Sequence, residues 1–121
     1  DDIYIMSTDG TNVLRLTNAA GQDGYPCWTR NGRIIFQSEG RRGVYIMDAD
    51  GLNQVELGPF GAFAYIYQAT VTFDGLKFAC EVDIGSGDRE IFLFNIDGSG
   101  GTNLSNSVGT SDLHPSFRGS P

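Results

Sequence analysis

The stretch VYIMDADG at residues 44–51 decides the fold, because versions of it occur three times in this chain. The other copies are IYIMSTDG at residues 3–10 and IFLFNIDG at residues 91–98. A second segment recurs between them, as PCWTRNG at residues 26–32 and ATVTFDG at residues 69–75. Self-similarity at a period of roughly 40–45 residues indicates an array of one repeated structural unit.

Each repeat contains four short runs rich in β-branched and aromatic residues, and Gly, Asp and Asn separate these runs. Asp-Gly and Asn-Gly pairs tolerate the positive φ that tight hairpins need. The run IIF at residues 34–36 is apolar on both strand faces, as in a sheet that is covered on both sides. No window shows helical periodicity. The sequence therefore predicts an all-β chain of four-stranded antiparallel units, the organisation of β-propeller blades.

The repeats divide the chain into about three blade equivalents of one partial β-propeller. Residues 1–17 are predicted to supply the third and fourth strands of one blade, and residues 18–60 and 61–107 a complete blade each. Residues 108–121 begin the same segment again with PSFRGSP and are predicted to form the first strand of the next blade. The predicted strands of the complete blades lie at 25–29, 33–38, 44–48, 54–57, 66–72, 77–82, 90–95 and 102–105.

The order of these segments resembles the blades of TolB-type six-bladed propellers across residues 3–121. The shared elements are a Pro-x-Trp start, an Asn-Gly or Asp-Gly turn, an apolar triplet, Ile-Tyr-Ile-Met and a second Asp-Gly. Residue Val71 stands where the other copy has Trp28, which departs from that pattern. The resemblance implies a periplasmic or extracellular protein, although no signal-peptide pattern opens this sequence. It is specific for the blade and much less so for function, since one fold hosts many functions.

Closure of the propeller is a separate expectation. Closed propellers contain about four to eight blades, so the remaining blades or a second copy of this chain must complete the ring. Unpaired strand edges and exposed apolar faces drive association. Light scattering on the 121 residues alone should therefore reveal aggregation or a discrete closed oligomer, most simply a dimer. A well-folded monomer at tens of micromolar would contradict the blade boundaries.

The charge and composition of the chain argue against two classes of partner, nucleic acids and membranes. Fifteen acidic and eight basic residues give a net charge of −7. An acidic surface repels phosphate backbones and anionic lipid headgroups. No apolar run approaches the roughly 20 residues that cross a bilayer. Neither nucleic-acid binding nor membrane insertion is expected.

The sequence shows no recoverable catalytic set, metal site or cofactor motif. Setting Gly51 at position 6 of an EF-hand loop places Ile46 and Leu57 at the ligand positions 1 and 12, so the calcium motif fails. His114 is the only histidine, and no G-x-S-x-G elbow is present. Cys27 and Cys80 fall in different predicted blades, so two free thiols are expected.

Two sets of residues are assigned a place by their position in the repeat. The aromatic set is expected to form the core between blades and comprises Tyr4, Trp28, Phe36, Tyr45, Phe78, Phe92 and Phe117. The polar set precedes the first, innermost strand of each blade, where successive copies meet at one mouth of the central channel. We predict a ligand-contacting rim from Asp23, Tyr25, Gln68, Asp112 and His114, although ordinary solvated loop residues would show the same pattern.

Two functions from different classes fit these observations. The first is a non-catalytic binding or scaffold module, with a protein or carbohydrate ligand at the channel mouth. The second is a fragment of a propeller enzyme, such as a polysaccharide lyase or a peptidase-associated propeller. Its support is Gln68 and His114 at equivalent rim positions. Further histidines at the same position of other blades would favour the enzyme.

Overall fold

A computed structural model describes residues 1–57, 65–85, 87–107 and 109–118, and all regular secondary structure in these ranges is β-strand. The strands are β1 (Tyr4–Ile5), β2 (Leu14–Arg15), β3 (Asp23–Trp28), β4 (Ile34–Ser38), β5 (Gly43–Met47), β6 (Val55–Leu57), β7 (Tyr65–Val71), β8 (Lys77–Asp83), β9 (Arg89–Asn95) and β10 (Thr102–Asn103). Within the described ranges no helix has the length and apolarity needed to cross a bilayer.

The strands form three antiparallel sheets in chain order. We call β1–β2 the half-blade, β3–β4–β5–β6 blade one and β7–β8–β9–β10 blade two. Within each sheet, every strand pairs with the next one along the chain, as expected for a meander. The predicted all-β fold with four-stranded antiparallel blades is confirmed, and strand ends differ from the prediction by at most two residues.

Both faces of β4 are buried, because blade one lies between the half-blade and blade two. Along β4, Ile34 and Phe36 pack toward the half-blade residues Ile3 and Leu16. Ile35, between them, belongs to a second cluster shared with blade two. The blade-two members of that cluster are Ile66, Ala69, Phe78, Cys80, Val82, Phe92 and Phe94. Side chains alternate across a strand, so one apolar run supplies two blade-to-blade cores.

Part of the predicted aromatic core is wrong. Phe36 and Phe78 are fully buried, and Phe92 is 8% exposed. In contrast, Tyr4 and Trp28 are 57% and 53% exposed. Phe117 is also exposed, and Tyr45 is half-buried against the cluster. Trp28 ends the innermost strand of blade one, and the half-blade contributes only two outer strands, so no described strand covers that ring.

The segment 109–118 has no regular strand, although a first strand is predicted there. It is anchored to blade two through the Asp112 N–H, which donates to the Arg89 carbonyl at 2.7 Å. The predicted blade boundaries near residues 60 and 108 fall on residues outside the described ranges.

The Asp-Gly pairs form tight turns, as the sequence predicts. Gly98 has a φ of 84°, and its N–H donates to the Asn95 carbonyl at 2.8 Å. The Asp97 carboxylate accepts the Ser99 N–H at 2.9 Å and the Ser99 hydroxyl at 2.6 Å. Carboxylates accept the N–H two residues ahead in the same way at Asp9, Asp50 and Asp74. Asx turns of this kind replace the calcium interpretation with local hydrogen bonding.

These turns should make the stability of the chain sensitive to acid. The pKa values of Asp9, Asp74 and Asp97 lie below the ordinary value, because a neighbouring hydroxyl and then a backbone N–H donate to each carboxylate. A lowered folded-state pKa gives stability that is complete above the unfolded pKa and is lost as the pH falls through the folded one. The urea concentration at the midpoint of unfolding should therefore decrease once the pH is lowered below about 4. The triple variant Asp9→Asn/Asp74→Asn/Asp97→Asn should lose less stability in acid than the unaltered chain does. An identical decline in both proteins would contradict the assignment of the acid sensitivity to these three turns.

Both cysteines are free, but they differ in reactivity. Cys80 is fully buried, and burial followed by the charge of Glu81 raises the pKa of its thiol. Cys27 is only half-buried. Since the thiolate is the reactive species, a disulfide reagent should modify Cys27 alone in the native chain and both thiols after unfolding. In its native state, the Cys27→Ser variant should then contain no thiol that the reagent modifies rapidly. Rapid modification of two thiols in the native, unaltered chain would refute the burial of Cys80.

Candidate functional site at the start of the innermost strands

The residues predicted at the rim share an uncommon backbone conformation. Tyr25, Gln68 and His114 have φ values of 53°, 41° and 59°. In β3 and β7 these residues lie within a register shift, between Gly24 and Cys27 and between Tyr67 and Thr70. Bulky residues rarely adopt positive φ, and each such residue costs on the order of 1–3 kcal/mol. The three equivalent positions therefore have one geometry, imposed by the repeat.

A cavity opens at this end of the blades. It has a volume of about 330 Å³ and is lined by Asp1, Gln22, Asp23, Gly24, Tyr25, Gln37, Glu39 and Tyr67. Tyr67 belongs to β7, so the cavity lies where blade one meets blade two. Two of the five predicted rim residues, Asp23 and Tyr25, share it. Gln68 follows Tyr67 directly but is not itself among the lining residues.

Asp23 is buried in the wall of this cavity. It is 2% exposed, and neither carboxylate oxygen has a hydrogen-bond partner among the described residues. Arg41 Nη2 lies 3.6 Å from Asp23 Oδ1, which makes an ion pair without a hydrogen bond. The Arg41 guanidinium also lies 4.0 Å from the centre of the Tyr45 ring and donates to Ser38 Oγ at 2.9 Å. Burial, and then the charge of Glu56, raises the pKa of Tyr45.

Two glutamine side chains add further unpaired acceptors to this region. Gln37 on β4 is 8% exposed, and its Oε1 has no partner in the described part of the chain. Gln68 on β7 is half-buried, with an equally unpaired Oε1. In the β3–β4 ladder Gln37 lies opposite Gly24, next to Asp23. The unpaired atoms of Asp23, Gln37 and Gln68 are therefore all oxygens.

The remaining two rim residues lie at the next junction, between blade two and the segment 109–118. The His114 N–H donates to Glu81 Oε1 at 2.9 Å, and its imidazole side is exposed. Asp112 accepts a hydrogen bond from the Ser107 hydroxyl. Glu81 is 2% exposed and also accepts from Arg89 at 3.0 Å. The buried carboxylate of Glu81 therefore has hydrogen-bond partners at this junction, whereas that of Asp23 at the previous junction has none.

The prediction from sequence missed the buried polar residues of the second strands. Gln37 interrupts the run IIFQS, and Glu81 interrupts the run FACEV. The two occupy equivalent registers, opposite Gly24 and Tyr67. The available signal was a polar residue within a strand whose two faces are both expected to be buried. Arg41 and Arg89 gave none, because long basic side chains are common on surfaces.

A second cavity lies at the other end of the same innermost strands. It has a volume of about 290 Å³, and its walls include Trp28, Phe73 and Phe117. Arg30 lies over the Phe73 ring at 4.7 Å from its centre. The exposed Trp28 ring therefore belongs to a wide surface depression, not to the core. Among the described residues, no group of three or more His, Cys, Asp and Glu side chains is arranged to hold a metal ion.

Two solved structures share this arrangement of blades. TolB from Acinetobacter baumannii aligns with a TM-score of 0.72 and 21% sequence identity over 86% of this chain and 26% of its own. A protein assigned as TolB from Agrobacterium tumefaciens aligns with a TM-score of 0.74 and 15% identity over 88% of this chain and 39% of its own. No model of a known protein family matches the chain, and no curated protein does. The likeness shows a TolB-like propeller fold, of which this chain spans less than half.

Proposed function

We propose that this chain is part of a non-catalytic propeller that binds a protein partner or a carbohydrate ligand at the mouth of its channel. The observation that carries the proposal is the cavity beside β3, where buried oxygen atoms of Asp23 and Gln37 have no hydrogen-bond partners. Buried polar groups in folded proteins are almost always hydrogen-bonded. A surface that leaves several of them unpaired is suited to a ligand that supplies the missing donors.

The strained backbone of the rim supports the same proposal. Residues held at unfavourable φ cluster at ligand sites, where the surrounding structure maintains them. Tyr25 has positive φ and is about half exposed at the cavity, with its ring available for contact. The resemblance to TolB-type propellers extends the proposal to a periplasmic or extracellular location and to protein–protein interaction.

The enzyme hypothesis has less support from the described residues. It depends on Gln68 and His114 acting together, yet His114 lies at a different junction from the cavity. No hydrogen bond in the described ranges joins these two residues. Unsaturated sugar products released from acidic polysaccharides would nevertheless establish a lyase and overturn the binding proposal.

The proposal is tested by screening the chain, in the assembly it forms in solution, against peptide and glycan arrays. The Tyr25→Asn variant removes the rim ring and keeps a residue that tolerates positive φ. Phe73→Ala is the matched control, because Phe73 is about equally exposed at the opposite cavity. We expect a reproducible binder that Tyr25→Asn weakens at least about tenfold and Phe73→Ala leaves unchanged, since one buried contact of about 1.4 kcal/mol gives that factor. A binder with the reverse pattern would refute the channel-mouth site.

A further inference from the structure

The residues that line the cavity beside β3 contribute three unpaired atoms, whereas Arg41 Nη2, which lies outside the lining, is a buried donor without a hydrogen bond. Asp23 contributes both carboxylate oxygens and Gln37 its Oε1, and all three atoms are hydrogen-bond acceptors. Asp23 and Gln37 are more than nine-tenths buried and line the cavity. An acceptor buried without a donor loses its hydration and gains nothing in return. This site therefore calls for a group that carries several N–H or O–H donors.

The charge of the site narrows the choice to a cation. Asp1, Asp23 and Glu39 line the cavity, and no lysine or arginine side chain does so. Arg41 reaches Asp23 from outside the lining at 3.6 Å, and it does so without a hydrogen bond. Arg89, over the ring of Tyr67, is already paired with Glu81. The three carboxylates outnumber the Arg41 guanidinium and the amino-terminal ammonium group of Asp1, and this leaves a negative potential at the site. Charged donors also form stronger hydrogen bonds to a carboxylate than neutral hydroxyl groups do.

Aromatic rings near the cavity already bind cations within the chain. The Arg89 guanidinium lies 4.0 Å from the centre of the Tyr67 ring, and Arg41 lies at the same distance from Tyr45. Both distances are within the range of favourable cation–π contacts. Tyr25 stands at the same cavity, about half exposed. Its ring can contact the stem or the charged end of a basic side chain that enters beside Asp23.

We propose that this cavity is a subsite for a basic side chain, the ammonium group of lysine or the guanidinium of arginine, presented by a peptide or protein partner. The inference rests on the proposed binding function and names the chemistry that the channel mouth recognises. Asp23 would receive the charged N–H groups, Gln37 a further one, and Tyr25 would cover the aliphatic stem. A sugar fits less well, because its hydroxyl groups accept as well as donate and the unpaired wall atoms offer only acceptors.

The test uses capped tripeptides of Gly-Lys-Gly, Gly-Arg-Gly and the neutral Gly-norleucine-Gly, titrated into the chain and followed by NMR or calorimetry. We expect saturable binding of a basic peptide and none of the neutral one. Asp23→Asn should weaken that binding at least about tenfold, as loss of a buried charged partner does. Asp50→Asn is the matched control, because it removes the same charge from an exposed turn outside this cavity. Saturable binding of Gly-Lys-Gly or of Gly-Arg-Gly shows whether the site takes a lysine or an arginine side chain.

Several results would overturn the inference. Equal binding of the neutral peptide would show that the site does not recognise a positive charge. No binding of either basic peptide would show that water alone completes the site. Equal losses in Asp23→Asn and Asp50→Asn would show a nonspecific charge effect. If Asp23→Asn fails to fold, the comparison of lysine with norleucine on the unaltered chain decides the matter. A partner that binds through Tyr25 but carries no basic group would refute this inference and leave the proposed function standing.

Discussion

Replacing Arg89 with methionine is expected to destabilise the chain by about 3–5 kcal/mol, because the change leaves a buried charge without its partner. Glu81 is 2% exposed and holds Arg89 Nη1 at 3.0 Å. Without the guanidinium, the His114 N–H is the other described donor to this carboxylate. The opposite change, Glu81→Gln, should cost only about 1–2 kcal/mol, since the Arg89 side chain is 38% exposed and can be hydrated. Urea unfolding of the three proteins measures the difference.

The double variant Glu81→Gln/Arg89→Met supplies the decisive comparison. It removes both charges, so it should recover much of the stability that Arg89→Met alone loses. Arg30→Met is a matched control, because Arg30 is exposed over the Phe73 ring and should contribute under about 1 kcal/mol. A double variant no more stable than Arg89→Met would show that the buried carboxylate is not the source of the loss.

Phe78→Ala should destabilise the chain by about 3–5 kcal/mol, the usual cost of truncating a buried phenylalanine. Phe78 is fully buried in the core between blade one and blade two, and its ring stacks on Phe94 at a centroid distance of 5.5 Å. The cavity left behind would open between two sheets that are each held by their own hydrogen bonds. Those ladders cannot close it without shifting a whole blade. Denaturant unfolding or the shift in melting temperature reports the loss.

Trp28→Ala serves as the contrast to Phe78→Ala. The sequence predicts Trp28 as core, but its side chain is 53% exposed. Its removal should therefore cost under about 1 kcal/mol, as surface changes usually do. If Trp28→Ala proves as damaging as Phe78→Ala in the assembled protein, then a neighbouring blade covers Trp28 there.

The sequence alone determined the features that depend on local pattern. The threefold recurrence of VYIMDADG-like stretches predicted the blades, and the apolar run at residues 34–36 predicted strands buried on both faces. The Asp-Gly pairs predicted the turns, since positive φ and Asx hydrogen bonds involve residues at most a few positions apart. These features follow from period and from adjacent residues, so no knowledge of the packed neighbours was required.

Tertiary structure alone decided which polar groups are paired and which aromatic rings are covered. Asp23 and Glu81 are both buried carboxylates. Glu81 receives Arg89 and His114, whereas Asp23 has one ion pair and no hydrogen bond. Their partners come from strands and segments up to 33 residues away along the chain, and the bulges in β3 and β7 set the register. Pairing and exposure depend on how whole sheets stack, and a repeat that makes its units alike in sequence does not specify where their neighbours differ.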